Sequence, residues 1–380
     1  MTAAFGIYVH WPYCAAKCPY CDFNSHVRSR IDDEMWAEAI ASELQHHATL
    51  QGDIRPTVSS IFFGGGTPSL MSGAALSQVL DAITRLWSLA EDVEITLEAN
   101  PASADAARFA DYRARGVNRL SLGVQALDDS ALRFLGRLHT VDEALAAVRM
   151  AQHQFTRVSM DLIYARAGQT VAGWQEELRR ALAFDTEHLS LYQLTIEEGT
   201  PFARRTARGE ILIAPDENAA ELYECTQQIM SAAGRPAYEI SNHAVPGAEC
   251  RHNLLYWRYG SYVGAGPGAH GRLDTLHGRL ATQGEKLPER WRTEVAAHGH
   301  GLAECVLLSD AEAAEEFLLM GLRLSEGVDL ATLQARFNWT ADPERLAQLV
   351  NAGWLSLNEG RLAATQRGRL VLNHLIGELV

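Results

Sequence analysis

The chain has 380 residues, 47% hydrophobic and 21% charged, which is the composition of an ordinary globular protein long enough for one large domain and a smaller one. Its formal charge of −14 excludes a broad phosphate-binding surface, and with it nucleic acid as the expected partner, because such binding is driven by Lys and Arg. Met1 to Phe5 carry neither the basic nor the apolar region of a signal peptide, no segment stays apolar for the width of a bilayer, and six cysteines in so long a chain do not read as a disulfide framework; the expectation is a cytoplasmic protein.

From residue 5 to about 194, short β-branched or aromatic runs alternate with longer amphipathic ones. Strands are predicted over 6–10, 60–64, 93–98, 119–124, 158–164 and 188–194, with helices over 33–50, 73–89, 104–115, 129–135, 141–154 and 171–183. Thr140-Val141-Asp142-Glu143 has the form of a capping box at the start of one of them. Strands and helices alternating at this spacing predict an α/β fold, a parallel sheet with right-handed crossovers that forms a partial (β/α)6 barrel over 1–195. Residues 196–308 read as an extension of the barrel, with a helix near 217–233 and an aromatic and glycine-rich run over 251–271. Residues 309–380 read as helices over 311–323, 330–337 and 343–352, two short strands at 355–357 and 361–363, and a last helix: a smaller α+β, winged-helix-like module. The module carries Glu312, Glu315, Glu316 and Glu326 without a basic face, which favours a lid or protein-docking role over DNA binding.

In a parallel barrel, function gathers where the strands end. The residues there are Cys14 to Cys21, then Gly64-Gly65-Gly66-Thr67-Pro68, Glu98 with Asn100, Gln125, Asp161 with Tyr164, and Gln193. Any one of them alone is as well explained by capping a helix or meeting solvent; their recurrence at successive ends points to a polar ligand. The strongest chemical signal is Cys14-x3-Cys18-x2-Cys21, because thiolates at that spacing on a tight loop converge on one 4Fe-4S cluster and leave its fourth iron without a protein ligand. Structural zinc is the competing reading. It lacks a second C-x2-C pair, although His10 or His26 would serve as a fourth ligand.

With Tyr8, the cysteine triplet and Gly64-Gly65-Gly66-Thr67-Pro68 together, the chain resembles the radical S-adenosylmethionine (SAM) superfamily. The resemblance implies that SAM chelates the open iron and that one electron cleaves it to a 5'-deoxyadenosyl radical. It also implies that Gly65, Gly66 and Thr67 contact the methionine end of SAM, that Tyr8 lies near cluster and cofactor, and that Glu98, Gln125, Arg137 and Asp161 complete the SAM site. Glycines there let backbone approach a ligand closely, and the planar donor fork of Arg137 suits a carboxylate.

Over nearly the whole chain the resemblance narrows to the coproporphyrinogen III dehydrogenase-like branch and, within it, to a group of heme chaperones. The dehydrogenase carries a fourth cysteine two residues after the third, where Phe23 stands here, and an extension before the cluster, where this sequence has thirteen residues. His252-Asn253-Leu254-Leu255-Tyr256-Trp257 matches the H-N-x-x-Y-W signature of the chaperone group. An imidazole can ligate heme iron, and Asn253, Tyr256 and Trp257 would line a macrocycle; Cys250, His270 and His243 are alternative ligands. A lone His beside Tyr and Trp is also a common core arrangement. The expectation is a protein that binds heme, a 4Fe-4S cluster and SAM, assigns no residue a catalytic role, and passes heme to acceptor hemoproteins such as respiratory enzymes. An electron-donor or heme-donor protein is implied as partner, homodimer formation stays open, and membrane contact would be peripheral, through an acceptor. The alternatives are the radical SAM oxidative decarboxylation of coproporphyrinogen III and, more plainly, electron transfer.

Overall fold

The computed structural model describes residues 4–379; Met1 to Ala3, where the signal-peptide reading began, and Val380, at the end of the last predicted helix, lie outside the described residues. Strand β1 (Phe5–Trp11) leads into a loop that holds the short parallel pair β2 (Tyr13–Cys14) and β3 (His26–Val27). The parallel strands β4 (Val58–Gly65), β5 (Leu89–Ala99), β6 (Arg119–Gln125), β7 (Arg157–Tyr164) and β8 (His188–Gln193) follow in sequential order, each neighbour reached through a helical crossover. These are the six predicted strands, with ends shifted by a few residues.

All six predicted helices of the barrel carry their own start signals, Asp105 at Ala106–Ala114 and Asp128 at Asp129–Phe134 among them. Asp32 caps Asp33–Leu50, Ser72 caps Gly73–Leu86 and Thr170 caps Val171–Leu182, while Thr140 and Glu143 form the complete capping box of Val141–Gln154. Glycine-rich and mixed sequence downstream hides further strands. They are β9 (Asn242–Ala244), β10 (Ser261–Ala265), β11 (His270–Thr275), β12 (Gly278–Gly284) and β13 (Leu302–Leu307). β10 pairs parallel to β1, β11 to β13 continue antiparallel from it, and β9 closes the other side against β8, giving an eleven-stranded sheet whose two ends are not paired to each other. The barrel is therefore partial.

Every strand of the barrel is sorted by its period of two. Ile7, Val9, Ile61, Phe63, Ile95, Leu97, Leu120, Leu122, Val158, Met160, Leu189 and Leu191 are buried in one continuous core. The alternating set faces the interior: Tyr8 and Phe62, Glu98, Arg119 and Ser121, Asp161, then His188, Ser190 and Tyr192 line a single cavity. An all-apolar filling is what a barrel packed only for stability would have. This interior is polar.

From Asp310 onward the predicted helices and two strands are present with one added strand: β14 (Val328–Asp329), β15 (Leu355–Asn358) and β16 (Arg361–Ala364) form a three-stranded sheet beside helices Asp310–Gly321, Leu330–Phe337 and Pro343–Asn351. The last helix is split in two, Gln366–Arg369 and Leu372–Gly377. The module has its own core, and Arg272 clamps it to the sheet with a two-bonded fork to Glu316 at 2.7 and 2.8 Å.

Candidate functional site

Cys14 closes β2, Cys18 and Cys21 lie on the loop that follows, and none of the three is in a disulfide. They line an outer cavity of about 380 Å³ at the carboxyl ends of the barrel strands, together with Gly65, Gly66 and Thr67. Thr67 Oγ1 donates to Cys14 Sγ and Arg137 Nη1 to Cys18 Sγ, both at 3.3 Å. Burial raises the Cys14 and Cys21 thiols above their ordinary range. Hydrogen-bond donors aimed at sulfur favour thiolates, so the donor set fits a cluster that displaces those protons as it binds. Among the described residues no three His, Cys, Asp or Glu side chains converge tightly enough for a single metal ion, whereas a 4Fe-4S cube spreads three thiolates over three irons. His10 and His26, the residues that would have completed a zinc site, are both bonded to Asn24.

The glycine run is required by the protein itself. Gly65 has φ +108°, and a Cβ there would lie 2.6 Å from the His10 ring; at Gly66 it would lie 2.6 Å from the Tyr13 carbonyl oxygen. Backbone bonds from Gly66 N to Trp11 O and Thr67 N to Tyr13 O fasten the run to the start of the cysteine loop. The sequence reading gave these glycines to a ligand; their closest neighbours are β1 and the cysteine loop, although both still line the cavity.

Glu98 stands at the end of β5, where burial and then the charge of Asp161 push its carboxyl up to about 8. Asp161 accepts from Ser121 Oγ on both oxygens at 3.1 Å, and burial raises it as well. Gln125 ends β6 at φ +71°, a left-handed backbone that a side chain adopts only under constraint, and it aims at the space left by Gly123. Arg137 Nη2 donates to the Gly123 carbonyl at 3.1 Å, and its Nε is buried without a partner. All four line the outer cavity. Gly123 was missed by sequence reasoning; a Cβ there would meet the Gln125 amide at 2.8 Å, and a glycine inside a buried strand was its signal.

Of the other residues at strand ends, Asn100 and Gln193 line the outer cavity and Tyr164 does not. Tyr164 is buried against Trp174, with ring centroids 5.1 Å apart, so it belongs to the core. Tyr8 lines a second, inner cavity of about 290 Å³ that shares Glu98, Ser121, Asp161 and Tyr192 with the outer one. Its hydroxyl reaches the cysteine loop through a chain of bonds, to His10 Nδ1 at 3.0 Å and from His10 Nε2 to the Asn24 carbonyl at 2.9 Å.

Helix Arg251–Trp257 closes the inner cavity. His252 is 1% exposed, with Nδ1 bonded to Ser60 Oγ at 2.9 Å and Nε2 to Tyr256 Oη at 2.7 Å, and burial lowers it to about 3. Neither ring nitrogen is free. Asn253 and Tyr256 line the same cavity, but Trp257 turns toward the C-terminal module, where Arg323 stacks over it at 5.0 Å. Cys250 and His243 are buried, and His270 is exposed.

The radical SAM superfamily profile matches residues 8–181, and the HemN C-terminal domain profile matches 308–371. The heme chaperone HemW of Escherichia coli is 37% identical over 97% of this chain and 96% of its own. The chain belongs to the HemW group of the radical SAM superfamily. HemW of Mycobacterium tuberculosis strain H37Rv is likewise 37% identical, over 99% of this chain and 95% of its own. The mitochondrial radical S-adenosyl methionine domain-containing protein 1 of Bos taurus is 39% identical over 98% and 87%. The fold is that of E. coli coproporphyrinogen III oxidase, HemN, with TM-score 0.83 over 99% of this chain and 90% of that one at 22% identity. Membership in the superfamily implies a 4Fe-4S cluster and SAM, and no helix among the described residues is long and apolar enough to cross a membrane.

Proposed function

We propose that this chain is a heme chaperone: it takes up heme and passes it to acceptor hemoproteins such as respiratory enzymes, while Cys14, Cys18 and Cys21 hold the cluster. The full-length likeness to proteins named heme chaperone HemW carries this reading. When bound, the cluster supplies an open iron for SAM and an electron; the chain's own residues supply the cradle. Gly65, Gly66 and Thr67 would border the methionine end of SAM, Arg137, whose Nε is the donor left without a partner, would face its carboxylate, and Glu98, Gln125 and Asp161 would complete the site. Phe23, where the dehydrogenase has its fourth cysteine, is 58% exposed at the rim of the outer cavity, which suits a surface that meets heme or a partner. A cytoplasmic location, an electron-donor or heme-donor protein and membrane contact only through an acceptor belong to the same proposal.

Iron ligation by His252 requires a ring nitrogen to give up Ser60 or Tyr256, so heme uptake at this segment needs the buried ring to be uncovered. Heme titration of the purified chain is expected to give a Soret band that weakens in His252→Ala. An unchanged band would move the ligand to exposed His270 before buried Cys250. Incubation with coproporphyrinogen III, SAM and a reductant is expected to give no vinyl product. Multiple-turnover formation of that product would overturn the chaperone reading in favour of the dehydrogenase.

A further inference from the structure

Arg119 sits near the start of β6 with its side chain in the barrel, 2% exposed, lining the inner cavity. Its Nε is buried without a partner, and none of the hydrogen bonds or ion pairs among the described residues involves its guanidinium. None of the nearby carboxylates bonds it, Glu98 in the same cavity included. Asp161 takes Ser121 on both oxygens, and Glu94 takes Arg157 Nη1 at 2.5 Å on one oxygen and the Arg251 backbone N–H at 3.0 Å on the other. His188, the next donor along the cavity wall, is held by Ser159 at 2.7 Å and Tyr238 at 2.9 Å.

A buried guanidinium with five N–H groups and no acceptor is costly unless something in the cavity accepts from it. Elsewhere in the same cavity the wall, on β1, β4 and helix Arg251–Trp257, is flat and aromatic: Phe62 stacks on His252 at 5.3 Å and on Tyr8 at 6.3 Å. A planar donor fork matches two carboxylate oxygens, and an aromatic wall accepts the apolar body behind them. We propose that Arg119 and the aromatic wall of the inner cavity form a binding subsite for the carboxylate of an apolar or aromatic acid. Two sources have this chemistry, a free small carboxylic acid and a propionate arm of heme itself. The subsite goes beyond the heme reading and does not need it, because its charge partner is Arg119 and it uses no iron ligand.

The probes are 3-phenylpropionate, its methyl ester, heme and heme dimethyl ester, titrated into the full chain by calorimetry or tryptophan quenching. The wild-type chain is expected to bind 3-phenylpropionate and to lose that binding with the ester. Arg119→Gln, of similar length and uncharged, is expected to weaken the acid about ten- to hundredfold, the size of one or two charge-assisted hydrogen bonds, and Arg119→Lys to fall between. Weaker binding of heme dimethyl ester than of heme, with the difference absent in Arg119→Gln, would assign the subsite to the propionate arm. Equal heme and ester binding beside a selective response to 3-phenylpropionate would assign it to a free acid. If Arg119→Gln does not fold, the comparison of acid and ester on the wild-type chain decides alone. Equal binding of acid and ester by the wild-type chain, or no binding of the acid, overturns the subsite. Heme binding that is indifferent to both esterification and Arg119→Gln overturns its heme arm while leaving the chaperone reading standing, and failure of all heme binding with the acid still bound does the reverse.

Discussion

Gly66 has no room for a side chain, and the cysteine loop depends on that. A methyl group 2.6 Å from the Tyr13 carbonyl must push β2, and Cys14 with it, away from the glycine run. Anaerobic reconstitution of the wild-type chain is expected to load about four irons; Gly66→Ala is expected to load far fewer while its far-ultraviolet circular dichroism stays that of the wild type. Tightly bound zinc without cluster absorption in the wild type would end the cluster assignment. His47 poses the opposite problem. It is fully buried with both ring nitrogens unpartnered, the Gly264 backbone nearby being outside hydrogen-bond geometry, and burial lowers it to about 3. Its depressed folded value means that the unfolded chain takes up the proton first, so stability is complete above the ordinary range near 6.5 and is lost as pH falls toward 3. His47→Leu is expected to leave Tm unchanged or higher at pH 7.5. It is also expected to make the fall in stability between pH 7 and 5.5 shallower, by up to about 1.4 kcal/mol per pH unit. Neither the crowding at Gly66 nor the orphaned ring of His47 is written in local sequence, since both neighbours come from other elements.

At the scale of elements, local signals carried the reading where they were strong. Thr140 and Glu143 announce the helix Val141–Gln154 and form its capping box, with Thr140 Oγ1 accepting from Glu143 N at 3.3 Å and the Glu143 carboxylate accepting from Thr140 N at 2.7 Å. Thr140→Ala is expected to cost about 1 kcal/mol in chemical denaturation, with cluster loading unaffected. The cysteine loop is an element of another kind, and one residue ties it to the segments before β11 and after β12. Asn24 donates from Nδ2 to the carbonyls of Pro267 and Lys286, both at 2.8 Å, and its own oxygens are bonded to His10 and His26. Asn24→Ala is expected to lower cluster retention on exposure to chelator, read as loss of iron absorption over time, with secondary structure kept. Strands β10 to β13 escaped the sequence reading because glycine and polar residues broke their pattern. Gly264 and Gly271 are the reason: a Cβ on Gly264 would lie 1.9 Å from the His270 carbonyl oxygen, and on Gly271 2.5 Å from Thr282, so close strand packing demands the residue that lowers strand propensity.

Across the whole molecule, the barrel interior and the clamp to the C-terminal module have no sequence-local counterpart. Glu316, half-buried, accepts both arms of the Arg272 fork and the Tyr259 hydroxyl at 2.7 Å, while Arg279 lies over the Tyr259 ring at 3.9 Å. Glu316→Ala is expected to cost about 2 kcal/mol, the size of hydrogen bonds to a charged group, and to split a single unfolding transition into two if the module then unfolds apart. Limited proteolysis at the joint near residue 308 checks that outcome. The same scale accounts for the polar cavity. Ser121, Arg119, Ser159, His188 and Ser190 alternate with buried apolar neighbours along β6, β7 and β8, a period-two signal present in the sequence but legible as a ligand site only once six strands turn those faces toward one another.

The sequence by itself determined the three cysteines on one loop, the order and approximate ends of the barrel strands, and, Tyr164 apart, the strand-end residues that gather at the outer cavity, because spacing on one loop and periodicity within one element are local properties. Tertiary structure alone decided that the glycine run packs against β1 and the cysteine loop, that Tyr164 is core, that His252 is a closed imidazole and that Arg119 faces a polar cavity with no hydrogen bond to its guanidinium among the described residues. Each of these depends on which atoms of distant strands arrive within bonding distance, and a hydrogen bond or a clash is fixed to a few tenths of an ångström that no pattern along the chain records.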